Sequence, residues 1–419
     1  MKKLTFLFIA LLIISSCKST KKSTKWKGQA PVKAVSTSTK PIQKQQKTIF
    51  NLGKGLYVTN NFDGARLNGI TRINDTLVTA LITSENSPIN PSPWYAFKIW
   101  SKKQSKIYVN LTYSENVKHR YYPKISNDGK VWTPIQVTNL KLLETDTLSS
   151  KRITAKVAQL KLNVNSDTLW VAAQEVITSI DNKSWAQQLA KNSFVKTKTI
   201  GYSKEKRPME SLEIGNTSAK KMIAVISRQH PPEVTGYLAM RAFVETISSN
   251  SELAIRFRKK FTTYVVPMVN PDGVDNGHWR HNAGGIDLNR DWSNKNQPEI
   301  NVVQDYFKSV TKDGKKIYFF VDFHSTYQDI FYTLNPKLPS NATGVVPKMI
   351  NSMGKELNLD PNIKPFENIN SVISSRYFYN TFNSESLTYE IGDNTPRDLL
   401  KKKGKVSAIK LMELLLKQN

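Results

Sequence analysis

AVISRQHPPEVTGYLAMRAF, residues 224–243, passes from an apolar run ending at Ser227 through His230-Pro231-Pro232-Glu233 into a stretch with apolar residues at helical spacing. The prolines mark the junction. Neither can extend a strand ladder, and Pro232 suits a first helical turn, where an amide donor would have no partner. A buried strand feeding a helix over Glu233–Ser248 is therefore expected. The same texture recurs from about Thr178 onward: "KKMIAVIS" (220–227), "FTTYVVPMVN" (261–270), "KKIYFFVDFHS" (315–325) and "ESLTYEIG" (385–392) read as short apolar strands. Helices are expected in "SWAQQLAKN" (184–192) and over Glu299–Val310, Pro347–Leu357 and Pro396–Lys417. Strands alternating with helices specify an α/β fold, a mixed and largely parallel sheet with helices on both faces.

Upstream the texture differs. Between residues 50 and 177, "GLYVTNNF", "TLVTALIT", "WYAFKIW", "KIYVNLTYS" and "TLWVAAQEV" are short alternating or aromatic runs, and "ISNDGKVWTPI" carries a hairpin turn at Asp128-Gly129. This spacing predicts an all-β sandwich over 50–177, ahead of an α/β domain over 178–419. His119 is the sandwich's one histidine and reads as a surface or strand-edge residue.

His230, Asn270, His324 and Glu390 all fall at or just past the carboxyl ends of apolar strands, the edge where open α/β sheets hold ligands. His230 and Glu233 offer two metal donors at one turn, and His324 a third; two imidazoles and a carboxylate suit zinc with one position open. Each residue alone has a plainer reading, as a surface turn or a satisfied core histidine. The loop from Pro267 to Trp292 adds the donors Arg280, Asn289 and Arg290, and the two guanidinium groups match carboxylates in a two-pronged way or close structural ion pairs. Glu390 is a carboxylate placed to take a proton at that edge. His278 and His281, on the same glycine-rich loop, lack a carboxylate companion and read as substrate-channel or surface residues rather than metal ligands.

The order His-x-x-Glu, Asn-Pro-Asp-Gly, Trp-Arg, Asp-Leu-Asn-Arg, Asp-Phe-His-Ser and Thr-Tyr-Glu resembles the zinc metallocarboxypeptidases of the carboxypeptidase A type, from about Thr178 to the C-terminus. "FDGARLNGI", "WYAFKIW" and "YYPKISNDGKVW" are similar to the N-terminal β-domain of the cytosolic-type subgroup. The resemblance implies one zinc per chain on His230, Glu233 and His324, with Asp287 orienting the first histidine. It further implies Glu390 as general base, Arg280 as oxyanion partner, and Asn289 with Arg290 as the grip on a substrate's terminal carboxylate. Pro232 departs from the digestive members, which have an arginine there, and Tyr377 and Tyr379 are only candidates for the family's mobile tyrosine.

Compartment follows from the other end. Lys2 and Lys3, the apolar run Leu4–Ile14 and Ile14-Ser15-Ser16-Cys17 read as an export signal too short to span a bilayer comfortably. Residues 1–17 resemble a bacterial lipoprotein signal peptide, which implies cleavage before Cys17 and acylation of its sulfur. With no other cysteine in the chain, no disulfide braces the fold. Residues 18–49 carry nine lysines and no acid, and read as a basic flexible tether between lipid and body. The net charge of +28 comes with no nucleic-acid module. The expectation is a lipid-anchored enzyme of the cell envelope, acting on peptide or protein C-termini or on peptidoglycan peptides. The competing reading is a degenerate envelope protein that binds glycan or peptide through its sandwich. Amidase or deacylase chemistry on the same scaffold also fits.

Overall fold

The computed structural model describes residues 28–29, 32–114, 116–147, 153–366 and 370–418. The signal peptide, Cys17 and the start of the tether lie outside the described residues.

The alternating runs form two sheets. One contains Leu56–Thr59, Ala96–Ser101 and Leu169–Ala172 among its six strands; the other contains Leu77–Ile82, Ser105–Tyr113 and Ile153–Val164 among its five. Alternate side chains meet between them: Val58, Phe97, Ile99 and Val171 face Val78, Ala80, Val109, Leu111 and Leu160, all fully buried. Complete burial contributes about 1.5–3 kcal/mol for each of the larger side chains. The Asp128-Gly129 turn is present, with Asp128 Oδ1 accepting from the amides of Lys130 and Val131. Gly129 has φ +72°, and an added Cβ would come within 2.9 Å of the Trp170 ring, so this turn requires glycine.

The second domain is built on an eight-stranded sheet whose centre is parallel: Phe261–Val266, Lys221–Ser227, Lys316–Thr326 and Glu385–Gly392 lie side by side. Four of the seven pairings are parallel; the outer hairpin Val195–Tyr202/Pro208–Gly215 and the strand Ile330–Leu334 bring antiparallel neighbours. Successive residues of the central strands serve opposite cores. Ile223, Val225, Phe319 and Val321 pack under the helices Val234–Ile247, Val345–Leu357 and Arg397–Leu416. Met222, Ala224, Ile226 and Phe320 pack under Pro298–Val310 and Ser374–Phe382. Strands buried on both faces account for their nearly continuous apolar sequences.

The two domains interlock. Arg120 of the sandwich pairs with Asp393 at 2.8 Å, both side chains buried, and Arg397 pairs with Glu175 at 2.7 Å. Gly277 backs so closely onto the carbonyl of Ala65 that a side chain there would collide with it. Trp279, from the long loop of the second domain, is buried in the sandwich core.

One expectation is corrected here. The tether is held against the body from Thr37 on. Thr37 is buried, accepting from Asn294, Asn296 and Gln297, while Lys40 N donates to Gly284 O and Gln45 fills a polar notch between Ala65 and Leu67. The Ser, Thr and Gln residues that suggested a solvated spacer supply hydrogen-bond partners to the body. His119 stands at a strand edge, half-buried, with its amide donating to the Ala155 carbonyl. Its Nδ1 lies 2.7 Å from the Tyr113 hydroxyl, and burial pushes its pKa down to about 4.

Candidate metal centre

His230 and Glu233 stand where the strand Lys221–Ser227 turns into the helix Val234–Ile247. The helix begins after Glu233, which is its N-cap with φ −82° and ψ 61°, so both prolines precede the helix rather than opening it. The helix N-terminus is pressed onto the neighbouring strand at His324. Gly236 N donates to Ser325 Oγ at 2.8 Å, and a Cβ on Gly236 would overlap the His324 carbonyl. Only glycine permits this approach, and the approach brings Glu233 to His324.

The three expected ligands converge. His230 Nδ1 lies 2.8 Å from Glu233 Oε1, and His324 Nδ1 lies 2.7 Å from Glu233 Oε2. One donor atom from each residue falls within 4.8 Å of the others, and all three side chains are buried. The opposite ring nitrogens are also held: His230 Nε2 lies 2.9 Å from Asp287 Oδ1, and His324 Nε2 lies 2.8 Å from Asp322 Oδ2. A carboxylate at Nε2 fixes the tautomer that turns the Nδ1 lone pair inward, the bracing that ligating histidines use. Two imidazoles and a carboxylate, so braced, form a donor set that fits zinc.

The electrostatics also ask for a cation. Burial alone would raise the Glu233 carboxyl, but His230 and His324 hold it well below the usual range. Asp287 is likewise raised by burial and then brought well below its ordinary value by Arg280 and His230. Burial disfavours charge on His324, yet Asp322 and Glu233 raise its pKa well above that of a free imidazole. The carboxylates thus surround the two imidazoles with negative charge that favours a cation at their centre.

Glu390 lies beside His324, its register partner on the adjacent parallel strand. The residue is half-buried, but Oε2 is enclosed and has no hydrogen-bond partner among the described residues. Burial, opposed by His324 and reinforced by Glu233, pushes its pKa up to about 7. A carboxylate poised near neutrality can both accept and return a proton.

The loop residues are partly drawn in. Arg280 Nε donates to Asp287 Oδ2 at 2.7 Å, which ties the arginine to the His230 brace. Asn289 Oδ1 accepts from Ser374 N at 2.9 Å, and Arg290 Nη1 donates to the Asn289 carbonyl, 3.8 Å from Asp287. Arg376 is buried, stacks on Phe366 and donates to Gln29 Oε1. Tyr377 packs on Trp292 with its hydroxyl enclosed. His278 and His281 do not face solvent: His278 Nδ1 lies 2.9 Å from the His281 carbonyl, and His281 Nδ1 lies 2.6 Å from Asn86 Oδ1. Burial lowers both, His281 to about 4, so they serve as neutral wedges between the domains.

Asp322 was not anticipated, although two positions before His324 on one strand places the two side chains on the same face. Gln229 Nε2 and Ser374 Oγ donate to the same Asp322 oxygen, each at 2.5 Å. Gln229 adjoins His230 in sequence; Ser374 carries no local signal at all.

An α/β sheet thus gathers two histidines and a glutamate at its strand ends, with a further carboxylate beside them, into a group that could hold a metal ion. The sequence profile of the zinc carboxypeptidase family matches residues 182–376, the stretch that holds His230, Glu233 and His324. Human cytosolic carboxypeptidase 2 is 25% identical over 299 residues, covering 64% of this chain but 32% of that protein. The chain thus spans about a third of that relative's length. The fold is that of a metallo-carboxypeptidase from Burkholderia cenocepacia, with a TM-score of 0.72 at 17% identity over 86% of this chain and 98% of that one. A metallo-carboxypeptidase from Pseudomonas aeruginosa in complex with (2-guanidinoethylmercapto)succinic acid superposes with a TM-score of 0.66 at 18% identity, covering 85% of this chain and 98% of that one.

Proposed function

We propose that the protein is a zinc-dependent carboxypeptidase that removes C-terminal residues from peptides or proteins, with one zinc per chain on His230, Glu233 and His324. The observation that carries this reading is the convergence of those three donors beside the enclosed carboxyl of Glu390. When bound, the ion supplies Lewis acidity toward a carbonyl oxygen and acidifies water. The remaining work belongs to the chain. Glu390 accepts a proton from the attacking water at its free Oε2 and returns it to the leaving amine. Arg280, anchored through Nε, directs its terminal nitrogens at the oxygen that gains charge. Asn289 and Arg290 bind the substrate's terminal carboxylate, and the buried walls keep bulk water from competing.

Incubating the zinc-loaded chain with a mixed peptide library, muropeptides included, and reading masses tests the reading. Peptides with free C-termini should become one residue shorter, amidated peptides should persist, and a chelator should stop the reaction. Equal loss of amidated and free peptides would point to amidase chemistry instead. The envelope location proposed from residues 1–17 makes cell-wall stem peptides candidate substrates, and their shortening in the same digest decides that point.

The anchoring is a separate proposal, supported by the apolar run and the single cysteine that follows it. Intact-mass measurement of the chain purified from membranes should show an N-terminus at a lipid-modified Cys17. An unmodified mature terminus elsewhere would rule the anchor out.

A further inference from the structure

We propose that the β-sandwich is a working part of the catalytic centre, with Glu85 as the positioning residue for Arg280. The inference rests on the carboxypeptidase reading above, in which Arg280 stabilises negative charge in the reaction.

Glu85 follows the sandwich strand Leu77–Ile82, and its side chain is completely buried against the other domain. Its carboxylate is met by three consecutive amides of the second-domain loop. Oε2 accepts from Trp279 N at 2.8 Å, and Oε1 accepts from Arg280 N at 3.0 Å and His281 N at 2.7 Å. Hydrogen bonds to an ionised acceptor are roughly twice as strong as neutral ones, and a low-dielectric interior strengthens them further. Burial would raise this carboxyl, but the Arg66 guanidinium and the three amides favour its ionised form and bring it below its ordinary value. It therefore stays an anion.

Both neighbours of Arg280 are locked into the sandwich as well. The Trp279 ring is buried in the sandwich core with Nε1 donating to the Trp94 carbonyl at 3.0 Å, and His281 Nδ1 meets Asn86. Asn86 Nδ2 also donates to the Gly285 carbonyl. Arg280 therefore rides on a short backbone bridge fixed at both ends by the other domain. From that bridge its Nε reaches Asp287, which in turn braces His230. A chain of contacts runs from Glu85 to the metal ligands, and the residue it places is the one whose terminal nitrogens must meet a reacting oxygen. Misplacing such a group by about 1 Å can lower a rate a hundredfold.

Glu85→Gln preserves volume but turns an NH2 group toward amides that need acceptors. In the full zinc-loaded chain, kcat on a peptide substrate should fall about tenfold to a hundredfold, with KM changed less than about threefold and zinc content unchanged. A role as interdomain glue predicts the same loss whatever stands at position 280. The decisive measurement is therefore the cycle of Glu85→Gln, Arg280→Ala and the double variant. If Glu85 acts through Arg280, Glu85→Gln costs less than about twofold in the Arg280→Ala background. Equal fold losses in both backgrounds, or a loss carried by KM, overturn the proposal.

Should Glu85→Gln fail to fold, the half-buried Asn86 provides the second cycle. Asn86→Ala should lower kcat about threefold to tenfold, and that effect should vanish beside Arg280→Ala. A wild-type chain that binds zinc and shortens no peptide overturns the function itself, whereas additivity in an active enzyme overturns only the positioning role.

Discussion

Glu390→Gln should lower kcat by a factor of about 10²–10⁴ while zinc still binds with full stoichiometry, because general acid–base groups contribute on that scale. The substitution is nearly isosteric and leaves His230, Glu233 and His324 untouched, so the loss reports on proton transfer alone. Steady-state hydrolysis beside metal analysis of the same sample checks it. Full turnover with zinc bound would remove Glu390 from the mechanism. The pH profile gives an independent reading. Only the ionised carboxylate can accept a proton, so activity must fall as the medium becomes acidic enough to protonate it. Burial sets its pKa at about 7 in the metal-free protein. A divalent cation close by favours the charged form, so the acid limb of the wild-type profile should lie below 7. Residual activity of Glu390→Gln should lack that limb.

The residues visible in sequence were those whose chemistry is carried by their own segment. Strand ends, the His230–Glu233 turn and Glu390 were legible because apolar periodicity places a side chain at an edge without reference to any partner. The helices fell within a few residues of expectation for the same reason: Glu233–Ser248 against Val234–Ile247, and Pro347–Leu357 against Val345–Leu357. What was not legible depends on contacts between distant segments. Thr37 and Gln45 have the composition of a spacer and become structural only because Asn294, Gln297 and Leu67 present partners to them. His278 and His281 could not be separated from channel residues until the sandwich was placed over them. Asp322 was within reach, since a carboxylate two positions before a strand histidine shares its face. Ser374 and Glu85 were not, because a serine before a helix and a glutamate in a loop are common and acquire meaning only opposite Asp322 or the amides of 279–281.

Zinc affinity should rise with pH by about tenfold per unit across the range in which His324 is protonated in the metal-free protein. Metal ligands must shed their protons to bind, and here one proton is held with unusual strength. Burial pushes against charge on His324, but Asp322 and Glu233 on either side raise its pKa well above 6.5. Wherever His324 holds that proton the ion must displace it, and lowering the pH adds to the competitor. The sign follows for stability too: a raised imidazole pKa stabilises the metal-free fold at low pH, and this contribution is lost as pH rises through the folded-state value. Zinc takes over the proton's place between the same carboxylates, so the melting temperature difference between loaded and stripped protein should widen as pH increases. Asp322→Asn separates the two roles of that aspartate. It removes one of the charges that hold the proton, so the pH dependence should flatten at a lower pH than in wild type. It also removes the brace at His324 Nε2, which should weaken zinc about tenfold to a hundredfold at pH values where no proton competes. Competition titration with a chelator of known affinity, repeated at several pH values for both proteins, measures slope and plateau together. An affinity for zinc that is flat with pH in the wild type would show that His324 is neutral in the empty site, and that the two carboxylates do not hold it as a cation.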